Sequence, residues 1–299
     1  MDISVVVPTL NDRDELRGCL DSIAAEAPHE IVVVNGPSTD GTSGMVRDRP
    51  DVDVLVEIDE RNVNVARNAG LDRIRGDAVG FVAPTVAVES GWLDSAREGL
   101  SGADAVTGPT HERLDAGVAT DTAESRRIRD RTVTYFNGGN VAFTRELATA
   151  IDGFDEYLDV GGARDAAHRI AGVGSDVTWS SRMCVSRKAV ADGGTAAREW
   201  RARYRSLSYR MAKNHGIHPT VPIRTLKHAG ADAVGTLRDV LRGDAKPTTW
   251  FGSGRDVVIG GFRGYADGLR ARYTDRRPRR NPHGLSTRTD RAVAVHDRR

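Results

Sequence analysis

The sequence predicts an α/β domain with a doubly wound, mainly parallel sheet flanked by helices, followed by a basic helical extension. Three observations predict it. Short β-branched runs alternate with helix-period segments through the first hundred residues. Turn residues stand at the carboxyl ends of those runs. The charge balance then changes sign: residues 1–195 hold 20 basic against 33 acidic residues, and residues 196–299 hold 23 against 9. Strands alternating with helices pair in parallel through right-handed crossovers, hence the doubly wound sheet.

Residues 3–8 (ISVVVP) form the first strand, a continuous β-branched run. A helix follows over 11–25, with Leu16, Leu20 and Ile23 at helical spacing and Asn11 or Asp12 as N-cap. Residues 30–35 (EIVVVN) are the second buried strand, 51–59 an alternating third, 62–75 a helix and 78–83 the fourth strand. Pro84 ends that strand because it has no N–H for the ladder. Residues 104–195 are less regular. Within them 136–158 hold a glycine-rich turn, a short strand and a helix, and 161–172 a glycine entry into a short helix. From 196 to 216 runs a basic amphipathic helix with Trp200, Tyr204, Leu207 and Met211 along one face. A Pro-punctuated stretch at 219–222 leads to another helix at 223–243. Residues 279–299 are too polar to build a core and are expected to drape over the surface or fray.

With 299 residues, 39% hydrophobic and 28% charged, the chain has the composition of a soluble globular protein of one large or two smaller units. No run of 18 apolar residues occurs, and the N-terminus carries an acid where a signal peptide is basic, so the expected location is the cytoplasm, at or away from the inner face of the cell membrane. Cys19 and Cys184 lie far apart without metal-ligand spacing, which predicts two buried small hydrophobes rather than a zinc site or a disulfide. The arginine-rich tail suits either acidic lipid head groups and phosphates or the acidic half of its own chain. Likewise, the apolar stripe at 197–214 fits a bilayer interface or a packed core. Aromatic residues at 5%, not interleaved with basic ones, speak against nucleic acid as a partner.

In doubly wound sheets ligands sit at the carboxyl ends of the strands. That rule sends Pro8–Asn11, Asn35–Gly41 and Ala83–Thr85 into one crevice. The last of these turns carries no charge.

Five stretches then stand in register: VVVPTLNDRDELRGCLDSI, EIVVVNGPSTDGT, NVNVARNAGL, GFVAPTVAVESGWL and FNGGNVAFTRELATAIDGFDE. Their order and spacing resemble family 2 glycosyltransferases with the GT-A fold, over residues 1 to about 175. The resemblance implies a nucleotide-sugar-binding half over 1–110 and an acceptor-binding half over 111–195. The basic extension and polar tail, 196–299, lie outside it. It further implies inverting transfer from a nucleotide-sugar donor to a glycan or lipid-linked acceptor, with a carboxylate removing the acceptor proton. Pro8, Thr9 and Asn11 would cradle the nucleoside. Asn35 stands where the family usually has an acid, and Asp40 would contact ribose or serve as a turn residue. Arg67 resembles an arginine that faces the diphosphate, with a solvated helix arginine as its alternative.

At the late helix, Gly162 and Ala163 occupy the places of a Glu-Asp pair, which leaves Asp165 as the candidate base, or as a helix N-cap or an ion-pair partner of Arg169. His168 is a second candidate base. The family's Asp-any-Asp turn binds a divalent metal, manganese or magnesium. Here it reads Ala83-Pro84-Thr85, so Thr85 is assigned to the substrate, no metal ligand is assigned and the cofactor is in doubt. Two outcomes compete: Arg67, Arg164, Arg169 or the tail neutralises the leaving diphosphate, or the fold survives as a silent binder of nucleotide sugar or glycan. A peripheral membrane-binding module is a third.

Overall fold

The computed structural model describes residues 1–114, 117–188, 200–217, 247–277 and 280–299. The chain divides into two compact units: Met1–Tyr157 with Gly162–Ala191 and His283–Arg299, and Leu158–Gly161 with Asp192–Pro282.

The first unit begins with four strands joined by three helices. Strands β1 (Ile3–Thr9), β2 (Glu30–Asn35), β3 (Val54–Glu57) and β4 (Ala78–Val82) lie side by side in the order β4-β1-β2-β3, all parallel. Helices α1 (Arg13–Ala25), α2 (Thr42–Arg47) and α3 (Val63–Leu71) connect them. Every residue of β1, β2 and β4 is buried, which is why the centres of those strands are apolar runs instead of alternating patterns. The third strand is shorter than its 51–59 pattern suggests, with four residues in the ladder. Helix α3 starts where Asn62 caps it, its side-chain oxygen accepting from Asn64 N at 2.8 Å.

Beyond β4 come β5 (Ala87–Val88), α4 (Trp92–Leu100), β6 (Ala105–Thr107), β7 (Thr110–Leu114), β8 (Gly117–Thr120), the hairpin β9 (Glu124–Ile128) and β10 (Arg131–Tyr135), β11 (Asn140–Thr144), α5 (Arg145–Ala150), α6 (Gly162–Val173), β12 (Val177–Trp179) and β13 (Val185–Lys188). Strand β11 inserts antiparallel between β4 and β6, and β12 pairs parallel with β6. A second sheet has the order β5-β13-β7-β8. Asn140 ties the two sheets together: it accepts from the Trp92 indole at 2.8 Å and donates to the carbonyls of Gly108, Pro109 and Met183. A fully buried amide satisfied on both ends fixes one packing of these segments. Phe81, Phe143 and Phe154 meet edge-on and tilted at centroid distances of 5.1–6.2 Å beneath the strand ends.

The C-terminal residues correct the sequence reading. They neither drape nor fray: β14 (Ala294–Asp297) adds antiparallel to β3 and closes the edge of the eight-stranded sheet. Its polar composition had concealed this. Arg291 is 1% exposed, bridged to Asp72 at 3.0 Å and Glu156 at 2.5 Å, and Arg288 meets Glu60 and Glu156. For these residues the basic tail does pack against acids of the first half.

In the second unit α7 (Trp200–His215) and α8 (Pro247–Thr274) run in the same direction. Gly260, Gly264 and Gly268 lie against the backbones of Arg201, Arg205 and Tyr209, so the absence of three side chains lets the helices touch. Tyr204 and Met211 of the predicted stripe are buried, the packed-core alternative. The helix at 223–243 lies outside the described residues. Among the described residues no helix is long and apolar enough to cross a membrane.

Candidate active site

Three strand ends meet as the doubly wound topology requires. A cavity of about 200 Å³ is lined by Pro8 and Thr9 from β1, Gly36 after β2, Asn62 and Ala66 at the start of α3, and Pro84 after β4. Thr85 is exposed at the same turn.

The polar side chains expected there are largely committed to one another. Thr9 donates to Asp12 at 3.1 Å. Asn11, exposed and at φ +58°, accepts from Thr39 N and, through its own N–H, donates to Ser38, latching the β1 and β2 loops together. Asn35 is 1% exposed; it accepts from Ser38 and donates to Ser43, which donates to Glu57 at 2.6 Å. Both ends of its amide are therefore engaged within the loop. Asp40 takes its turn-residue role: it accepts from the Thr42 hydroxyl, Thr42 N and Arg13 N. These bonds, the Thr42 hydroxyl foremost, hold its carboxyl below the ordinary range.

Arg67 behaves differently. It is buried rather than solvated, so the solvated-helix alternative fails. Its guanidinium donates to Asn64 Oδ1 at 3.1 Å and to the Gly138 carbonyl at 2.9 Å, and stands 4.9 Å from the centre of the Phe154 ring. Its Nε is buried without a hydrogen-bond partner, and among the described residues no carboxylate pairs with it. Burial alone pulls its pKa down to about 10. A Cβ on Gly138 would stand 2.7 Å from Arg67 Nη2 and 3.0 Å from Ala163, so only glycine lets the three approach. Ala83 N donates to the Gly139 carbonyl at 3.0 Å. The uncharged turn, the Gly138-Gly139 turn, Arg67 and the start of α6 thus converge.

Beside them a more open cavity of about 570 Å³ is lined by Asp121, Glu124, Tyr135, Asn137, Arg164 and Trp179. Arg164 stacks on Tyr135 at 4.5 Å and donates to Glu124 at 2.8 Å. Burial raises the Glu124 pKa, but Arg164 and Arg126 outweigh it and hold the carboxyl below its ordinary value. Sequence reasoning missed Glu124, Tyr135 and Trp179 because they come from the irregular middle, where no periodic pattern places them.

The late-helix candidates are all buried. Asp165 and Arg169 are both fully buried and form an ion pair at 2.8 Å, with Arg169 also donating to the Ile151 carbonyl. That pair is the alternative reading of Asp165, and it corrects the expectation that either side chain meets substrate. His168 is 2% exposed, edge-on to Tyr135 at 5.7 Å. Nor does the Ala83-Pro84-Thr85 turn fit manganese or magnesium, since a hydroxyl and carbonyls are a weak set for a hard cation that takes carboxylates.

Comparison with known proteins agrees with this architecture. Residues 4–141 match the glycosyl transferase family 2 profile. Glycosyltransferase AglE of Haloferax volcanii is 22% identical over 198 residues, 60% of this chain and 64% of its own length. Glycosyltransferase GlyA of Streptococcus pneumoniae is 34% identical over 98 residues, 31% of this chain and 14% of its own. The chain thus spans less than two thirds of either relative. Among solved structures, the mannosyltransferase PcManGT of Pyrobaculum calidifontis, in complex with GDP-Man and Mn2+, superposes with a TM-score of 0.56 at 22% identity over 89% of this chain and 87% of that one. S. aureus TarS 1-349 in complex with UDP-GlcNAc reaches 0.62 at 15% identity over 92% of each chain. The fold is that of GT-A proteins, and residues 4–141 are similar to glycosyl transferase family 2.

Proposed function

We propose that the protein transfers a sugar, with inversion, from a nucleoside-diphosphate sugar to an acceptor hydroxyl on a glycan or lipid-linked glycan, with arginine in place of a metal ion at the diphosphate. The observation that carries this reading is Arg67, a buried cation that pairs with no carboxylate among the described residues, at the junction of the strand-end turns. A buried charge costs several kcal/mol unless compensated. A diphosphate supplies that compensation. The family relatives support the donor class, since PcManGT and TarS were solved with nucleotide sugars.

In this reading Pro8, Thr9, Asn62 and Ala66 wall the nucleoside cavity and Arg67 holds the diphosphate as negative charge grows on it. Tyr135 and Trp179 offer sugar faces a stacking surface in the wider cavity. Glu124 takes the part expected of Asp165: it is the carboxylate hydrogen-bonded to Arg164 at the start of α6, and like any carboxylate it is ionised at neutral pH. It accepts the proton of the attacking hydroxyl.

The uncharged turn favours a second reading, a nucleotide-sugar binder without turnover. Calorimetric titration with UDP and GDP, in EDTA and in Mn2+, followed by donor turnover assays, separates the two. Metal-independent binding with turnover supports the transferase. Binding without turnover supports the silent binder, and no binding of any nucleoside diphosphate removes both.

A further inference from the structure

We propose that Glu89, His111 and Cys184 form a binding site for a borderline divalent cation of the zinc type, apart from the donor and acceptor cavities. One donor atom from each lies within 4.8 Å of the other two. The convergence is built by the second sheet. Strand β13 runs between β5 and β7; Val185 pairs with Val88 on one side and Thr110 on the other, and Ser186 pairs with His111. Cys184, one residue before Val185, and Glu89, one residue after Val88, are joined by a backbone bond from Glu89 N to the Cys184 carbonyl at 3.0 Å. Glu89 and Cys184 thus stand opposite each other, and His111, opposite Ser186 two positions along on the same face, reaches back to them diagonally across strands about 4.8 Å apart.

The donor set selects the ion. A thiol, an imidazole and a carboxylate make the mixed sulfur, nitrogen and oxygen set that zinc and cobalt accept, whereas magnesium and calcium take oxygen alone. Bond lengths of about 2.0–2.3 Å put the donors of a tetrahedral zinc roughly 3.3–3.8 Å apart. The His111 Nδ1 to Glu89 Oε1 distance is now 3.0 Å and the Cys184 thiol donates to the Ser181 carbonyl at 3.0 Å. Small rotations of these side chains therefore exchange two internal bonds for three metal bonds, the thiol proton leaving to solvent. Glu89 and His111 are half-buried, which leaves one side open for water as fourth ligand. None of the three lines the donor or acceptor cavity described above. The 22-position separation of Glu89 and His111, and the longer gap to Cys184, hide the set from any spacing rule.

The test is Co2+ titration of the full chain, stripped with chelator and kept reduced. One equivalent should bind with a thiolate-to-cobalt charge-transfer band that added Zn2+ abolishes. Cys184→Ser should lose the band, Cys19→Ser should keep it, and His111→Gln should weaken affinity by roughly tenfold or more. No band in the unsubstituted protein, or a band surviving Cys184→Ser, overturns the proposal. Should Cys184→Ser not fold, unchanged Co2+ affinity in both His111→Gln and Glu89→Gln overturns it equally.

Discussion

Replacing Arg67 by methionine separates its two roles, because stability and binding should respond unequally. Burial pulls the guanidinium pKa to about 10, against an ordinary value above 12, which amounts to roughly 3 kcal/mol against the charged form. Removing the charge relieves that cost. It also removes bonds to Asn64 and Gly138, at about 1 kcal/mol net each, and the contact with Phe154, at about 0.5–2 kcal/mol. These opposing terms cancel to within about 1 kcal/mol, so Tm should move by no more than about 4 °C. Binding has no such cancellation. Losing charge-assisted bonds to a diphosphate costs about 1.5–3 kcal/mol, or roughly 10- to 150-fold in Kd. Calorimetry with UDP and GDP in EDTA, beside a thermal melt, reads both quantities. An Arg67→Met protein that binds the better nucleotide within threefold of the parent refutes the argument, as does one that melts about 10 °C lower, which would make Arg67 a packing residue.

Glu124→Gln should lower turnover by about 10²- to 10⁴-fold while donor Kd changes less than threefold; with its pKa held down by Arg164, the acid limb of the parent pH-rate profile should lie below the usual glutamate value. Gly138→Ala forces a Cβ to 2.7 Å from Arg67 and 3.0 Å from Ala163, and should cost about 1–3 kcal/mol by denaturant melt together with donor affinity. Glu30 is 3% exposed; burial raises its pKa, yet the Ser4 hydroxyl, Arg75 N and Arg299 outweigh this and lower it. Its stabilising effect is then complete above about pH 4.3, the ordinary glutamate value, and lost as pH falls through the lower folded value. The fall in Tm between pH 5 and 3 should be shallower in Glu30→Gln.

The parallel core was legible because buried strands of valine and isoleucine leave little doubt about period or direction, and Pro84 marked its strand end. Side-chain commitments were not. Whether Asn35 faces a ligand or Ser38 depends on a loop conformation set by Asn11, Thr39 and Ser38 together. Asp165 looked available because a four-residue step to Arg169 fits a surface ion pair as well as a buried one; only packing against the Ile151 carbonyl decides. The wider cavity was hardest, since Glu124, Tyr135 and Trp179 come from three short segments whose meeting is a tertiary fact. The tail misled for the opposite reason: hydrophilic residues can finish a sheet when carboxylates wait for them.

Strand β14 also bears on how the chain is made. His296 lies beside Glu57, 239 positions earlier, so β3 emerges from the ribosome long before its outer neighbour exists. Until then that strand presents a bare row of amides and carbonyls to other nascent chains. Removing β14 would leave β3 as an open sheet edge, and the shortened protein should be more prone to self-association than the full chain.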